Sequence, residues 1–281
     1  MIPTTQCQAC GEPLIPVDGC VVHPDCPLPG MSGFDQEADI LKERVTNMVR
    51  YASSQQPRSL QTAAGPSDLV SECDRRVGYK LAGISPVNLT WDPWPAVVGT
   101  AAHSWLENAA QIWNRDHPED NAWHTEVELV LDGTFPAHSD LYLDGMVVDY
   151  KTKSAAQMAL IKRLGATAVV PGAIKQVQLY GYAFQQAGYP VQRVGLVFLP
   201  RSGSLRSMMT WVGQYDKKVA QETLSRVYSI AIRLNELDII SNPHRWEQVD
   251  ATPGNACGLC SLYSPDKVLE SGADDAGCPG R

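Results

Sequence analysis

The 281-residue chain lacks any apolar run approaching the roughly 18–20 residues that a membrane helix needs, so no spanning helix is expected. Its first residues, MIPTTQCQACGEP, lack the basic start and apolar stretch of a secretory signal, so the chain is expected to stay in a reducing, cytoplasmic compartment. It has no basic excess: 23 Lys and Arg stand against 31 Asp and Glu, a net charge of −8. That balance excludes a protein that merely coats nucleic acid with a positive surface, but not a site whose clustered acids are offset by bound cations. There are no internal repeats and no low-complexity tract. Cysteine is missing from the whole stretch between Cys73 and Cys257.

What is present is an ordinary globular balance, with 44 % hydrophobic and 19 % charged residues. The length allows one sizeable core plus an appendage, or two modest domains. Helical spacing of Ile40, Leu41, Val45, Met48 and Val49 predicts a helix from Phe34 to about Ala52. A polar linker follows, then a helix capped by Ser67 or Asp68 that runs through LVSECDRRVGYKLAG and stops at Gly83. A further helix starts near Gly99. Strands are predicted at TEVELVL, AHSDLYL and MVVDYKT, a helix around AIKQVQLYGYAFQQAG, strands at VQRVGLVFLP and SLRSMMTWV, and a long helix from Asp216 to Glu236.

The most informative segment is the hairpin around Asp144–Gly145, a favoured two-residue turn between alternating strands. That register pairs Leu143 with Met146, Leu141 with Val148 and Asp140 with Asp149, and Lys151 joins the face of Asp149. Leu141, Leu143, Met146, Val148 and Tyr150 form the opposite, apolar face. Facing carboxylates destabilise a sheet unless a cation compensates, and hard Mg²⁺ or Mn²⁺ prefers carboxylate oxygens. A lysine beside such an ion is equipped to orient or deprotonate water for phosphodiester hydrolysis. A solvated Asp–Lys face is the plainer alternative.

The cysteines group at the two ends of the chain, which reads as two metal-binding devices flanking a catalytic body. Cys7-x2-Cys10 with His23-x2-Cys26 has zinc-knuckle spacing, and Cys20 competes with His23 as the fourth ligand. Residues 1–30, poor in apolar content, are expected to need Zn²⁺ to fold. They offer a surface for DNA or for a protein partner.

Asp140…Asp149–Tyr150–Lys151 resembles the motif of the PD-(D/E)XK nuclease superfamily. GTAAHSWLE around His103 is similar to the histidine-bearing helix of RecB-type nuclease domains, and Gln176-x3-Tyr180 matches the Q-x-x-x-Y motif after their D-x-K strand. The resemblance covers roughly residues 67–278 and is strongest to the iron–sulfur RecB-like exonucleases, including the CRISPR-adaptation branch and phage relatives. It implies a restriction-endonuclease-like α/β core, a central mixed sheet flanked by helices, over residues 67–281. A zinc-binding module at 1–30 and a helix and linker at 31–66 would precede it. It further implies that His103, Asp140, Asp149 and the Tyr150 carbonyl bind Mg²⁺ or Mn²⁺. Lys151 would serve the water, and Gln176 and Tyr180 would orient substrate or lysine. The chain departs from the family in having Asp149 where many relatives have Glu, and Ala137 where a glycine is common. His138, opposite Lys151 in the hairpin register, is a further candidate.

The same resemblance implies a [4Fe–4S] staple on Cys73, Cys257, Cys260 and Cys278, with a four-thiolate Zn²⁺ as the alternative. The gap between Cys260 and Cys278 exceeds the family's usual spacing. The implied activity is an exonuclease acting on DNA ends, with single strands preferred, in a bacterial or phage-infected cytoplasm. A non-catalytic DNA-binding accessory protein and a restriction-like endonuclease are the alternatives.

Overall fold

In the computed structural model the described residues are 15–17, 20–22, 32–56, 63–88, 92–120, 123–252, 257–265 and 277–280, with side chains left aside at 15–17, 20–22, 32–36 and 259. They fall into two compact units, Met1–Gln56 and Pro57–Arg281. The first contains an antiparallel pair, β1 (Ile15–Val17) and β2 (Cys20–Val22), and helix α1 (Ser32–Ser54). The predicted ligands Cys7, Cys10, His23 and Cys26 lie outside the described residues. Cys20, the competing ligand, sits in β2.

The second unit opens with α2 (Pro66–Leu69) and α3 (Asp74–Leu81). The single helix predicted through this stretch is therefore broken. Asp68 accepts from the Gly65 N–H and closes one turn, after which Cys73 takes an extended conformation at φ −89° and ψ 112°. That break puts Cys73 at the start of α3, which ends at Gly83 in the left-handed region, as predicted. Helix α4 (Trp94–Asp116) begins earlier than its apolar pattern suggested, because Pro95 suits a first helical turn.

Strands β3 (His124–Leu131), β4 (Phe135–Leu143), β5 (Met146–Lys153), β6 (Arg193–Pro200) and β7 (Met209–Gln214) form a five-stranded sheet in sequential order. Only β5 and β6 are parallel; the other three pairings are antiparallel. A parallel pair needs a crossover. It is made here by α5 (Ala155–Leu164), α6 (Ala166–Val169) and α7 (Pro171–Gln186). Sequence reading missed α5, although Ser154 and Gln157 form a capping box at its start. Helix α8 (Lys217–Glu236) completes the layer beside α7.

The sheet is thus sandwiched. Its main core lies against α3, α7 and α8 and holds Val147, Val177, Leu179, Phe184, Leu196, Phe198, Val227 and Trp246. A smaller cluster of Leu141, Val148, Tyr150 and Leu199 packs against Leu106 of α4. This is the mixed α/β sheet flanked by helices that the resemblance implied. Among the described residues no helix is long and apolar enough to cross a membrane.

Candidate active site

Asp144 and Gly145 both have positive φ, 47° and 73°, the signature of the two-residue turn the sequence called for. The register follows expectation through Leu143↔Met146 and Leu141↔Val148. The ladder then stops, so Asp140 and Asp149 are not the backbone-paired partners that the hairpin register predicted. Instead Asp140 turns its carboxylate into the opening, where Oδ2 accepts the Tyr150 N–H at 2.6 Å.

A second irregularity lies one strand over. The Glu126 position faces Asp140 in the β3–β4 register, but Glu126 is held at φ +48° and the pair is skipped. Residues Ala137 and Leu141, four apart, would share a face in a regular strand. Here Ala137 packs in the main core and Leu141 in the smaller cluster on the other side. The strand changes faces at Asp140, and its carboxylate is delivered towards α4. A non-glycine residue in this backbone region costs on the order of 1–3 kcal/mol, strain of a kind that collects at functional sites.

Two linked networks result. Towards α4, His103 Nδ1 lies 3.1 Å from Asp140 Oδ1, and its Nε2 lies 3.1 Å from the Tyr150 carbonyl oxygen. A neutral imidazole has one N–H, whereas both ring nitrogens here face acceptors, so the geometry suits the protonated ring. Burial opposes that charge, but the hydrogen bond and charge of Asp140 outweigh it and the His103 pKa is raised. Towards α7, Lys151 Nζ lies 2.7 Å from Asp149 Oδ2 and donates to Gln176 Oε1 at 3.0 Å. Gln176 Nε2 in turn donates to Asp149 Oδ1 at 3.3 Å and to the Tyr180 hydroxyl at 3.1 Å.

Asp149 is 2 % exposed, and burial pushes its carboxyl up to about 6, a rise that the charge of Lys151 opposes and that of Asp140 adds to. Its Oδ2 has the ion pair with Lys151 but no hydrogen bond of acceptable geometry. A buried carboxylate oxygen with lone pairs to spare is suited to a cation.

Glu126 was missed from the sequence. Its carboxylate, an Asp140 oxygen and a His103 nitrogen lie within 4.8 Å of one another, the one trio among the described residues spaced so that it could hold a metal ion. Burial and the charges of Asp140 and Glu107 raise its pKa. The signal was the Asp132–Gly133–Thr134 loop: centring the β3–β4 hairpin there places Glu126 opposite Asp140. His138 does not join the site. It pairs with Glu128 on β3, is exposed, and has no hydrogen bond or ion pair among the described residues. The hairpin register that put it opposite Lys151 ends at Leu141.

The C-terminal cysteines converge as well. Cys73, Cys257, Cys260 and Cys278 line one cavity of about 290 Å³ with Arg76, Tyr79 and Gly280. The Gly280 N–H donates to Cys278 Sγ at 3.4 Å, and buried Arg75 directs Nη1 to the same sulfur at 3.8 Å. The Tyr79 hydroxyl donates to the Gly277 carbonyl at 3.0 Å, tying α3 to the chain's end.

No protein family and no curated protein matches the sequence. Among solved structures, an alkaline exonuclease from Laribacter hongkongensis is 14 % identical, with 62 % of this chain and 89 % of that one covered at a TM-score of 0.43. A phage-related exonuclease from Haemophilus somnus 129PT is 11 % identical, with 66 % and 85 % covered, also at 0.43.

Proposed function

We propose that this protein is a metal-dependent deoxyribonuclease that hydrolyses phosphodiester bonds from DNA ends, preferring single strands. The observation that carries the reading is the buried Asp149–Lys151–Gln176–Tyr180 network, set against a His103–Asp140–Glu126 cluster.

The donor set fits a hard divalent ion. Oxygens of Asp140, Asp149, Glu126 and the Tyr150 carbonyl, with one imidazole nitrogen, would hold Mg²⁺ or Mn²⁺. Such an ion supplies Lewis-acid stabilisation of the phosphoryl oxygens and acidifies water. The remaining work falls to the chain. Lys151, held by Asp149 and Gln176, orients the attacking water and, in the neutral form left after its own proton has gone to solvent, takes up the water's proton; Tyr180 fixes the amide of Gln176. Metal affinity should climb with pH, first as Asp149 ionises near 6 and further as His103, whose pKa is raised by Asp140, gives up the proton that occupies the cation's place. Glu126→Gln is expected to weaken Mn²⁺ binding about tenfold by calorimetry while leaving the fold intact. Unaltered affinity would remove Glu126 from the ligand set.

The cysteine cavity is read as the seat of a [4Fe–4S] cluster. The four cysteines named from the sequence all line it, and four thiolates suit such a cluster. The Cys7, Cys10, His23 and Cys26 set keeps its reading as a zinc module facing a protein partner. Covalently closed and linear forms of one single-stranded DNA test the end requirement. The linear form should disappear at least about 100-fold faster, and equal rates would turn the reading to an endonuclease.

A further inference from the structure

Beyond the trio of Asp140, Asp149 and Lys151, strand β5 carries one more cation. Lys153 lies two residues past Lys151, hence on the same side of the strand and about 6.6 Å farther along. The parallel register puts Lys153 beside Pro200, and the N–H of Arg201, the next residue, donates to the Lys153 carbonyl at 3.0 Å. Because β5 and β6 are parallel, both chains leave the sheet at the same end, and Lys151, Lys153 and Arg201 gather there. Helix α5 starts at that end too, with Ser154 as its N-cap, so the positive end of its dipole adds to the same field.

These cations differ in how they are compensated. Lys151 is satisfied by Asp149 and Gln176. Neither Lys153 nor Arg201 has an ion pair among the described residues. Lys153 is half-buried, and burial together with the charges of Lys151 and Arg201 depresses its pKa against a smaller opposing pull from Asp149. Even in a chain with eight more acids than bases (31 against 23), no carboxylate among the described residues lies within ion-pairing distance of either side chain. An anionic ligand is the compensation that the arrangement lacks. A phosphodiester suits it best, since guanidinium and ammonium groups are the usual partners of phosphate oxygens.

We propose that Lys153 and Arg201 form a phosphate-binding subsite that grips the nucleic-acid backbone one phosphodiester away from the bond held at Asp149 and Lys151. This rests on the nuclease reading, and it makes both residues positioning residues: they fix the strand and take no part in the chemistry.

The test uses the full chain, a fluorescently end-labelled single-stranded oligonucleotide, and Ca²⁺ in place of Mg²⁺ to hold substrate uncut. Lys153→Met keeps the apolar stem, and Arg201→Gln sits on an exposed loop, so both variants should unfold at the wild-type temperature. Each should bind about five- to tenfold more weakly, with the plot of log affinity against log salt shallower by about 0.7 per lost contact. With Mg²⁺, KM should rise by a similar factor while kcat changes less than about twofold. An oligonucleotide with one neutral methylphosphonate beside the cleaved bond should cost the wild type the same factor and cost the double variant nothing further. Unchanged salt slopes, or equal sensitivity of wild type and double variant to the methylphosphonate, would overturn the subsite even if DNA is cut normally. If no form cuts DNA but the salt slopes shift as described, the nuclease reading fails and the subsite stands as a nucleic-acid contact.

Discussion

Asp149→Asn is expected to reduce cleavage by at least about 100- to 1,000-fold and, at pH 8 without metal, to raise the unfolding temperature by several degrees. Both effects come from one carboxylate. In the folded protein burial lifts its pKa from the ordinary 3.8 to about 6. The native state therefore holds this proton more tightly than the unfolded chain does. Its stability contribution is intact below about pH 4, erodes as pH rises from there to about 6, and is lost above that. The loss is on the order of 3 kcal/mol, and an amide, which cannot ionise, avoids it. Lys151 keeps Gln176 as a partner and is partly open to solvent, so it tolerates the exchange. Metal should reverse the ranking: Mn²⁺ should stabilise the wild type and leave Asp149→Asn unmoved. A variant less stable than wild type at pH 8, or one that Mn²⁺ still stabilises fully, would show that Asp149 is structural.

The second large effect is expected at Cys73. Cys73→Ser should abolish the visible absorbance of anaerobically purified protein and lower its unfolding temperature on the order of 10 °C. The cavity joins the start of α3 to residues 257–278, so a cluster there closes a loop of nearly the whole second unit. Serine keeps the side chain's size but is a poor ligand for iron. The wild type should be brown and bleached by reductant. Colourless wild type with one zinc ion in the cavity would replace the iron–sulfur reading, and an unmoved unfolding temperature in Cys73→Ser would reject a staple of either kind.

Much of the site could be read from residues alone because local rules fixed it. Asp144–Gly145 admits one turn geometry, that turn sets the register, and the register sets which residues of β5 face α7. Gln176 and Tyr180 follow from one turn of a helix whose other faces are filled with core residues. The unread parts are those that depend on other elements. Asp140 departs from its cross-strand pairing, and Glu126, the position facing it on another strand, adopts a left-handed backbone, neither of which any periodicity in β4 reveals. Cys73 breaks its helix to meet a segment nearly 200 residues away; local propensity favoured a continuous helix there. Helix α5 has a short apolar stripe of Met158 and Ile161, too little for periodicity to register, though its capping box was legible.

The central claim is that Asp149 and Lys151 serve a divalent ion in cutting DNA. Digestion of end-labelled single-stranded DNA by purified protein, titrated with Mg²⁺ or Mn²⁺ and run beside Lys151→Ala, tests it most directly. Mononucleotides should accumulate only with metal, cease on chelation, and be lost in a Lys151→Ala variant that still binds Mn²⁺. Undiminished cleavage by Lys151→Ala, or none by wild type at any metal concentration, would contradict the account.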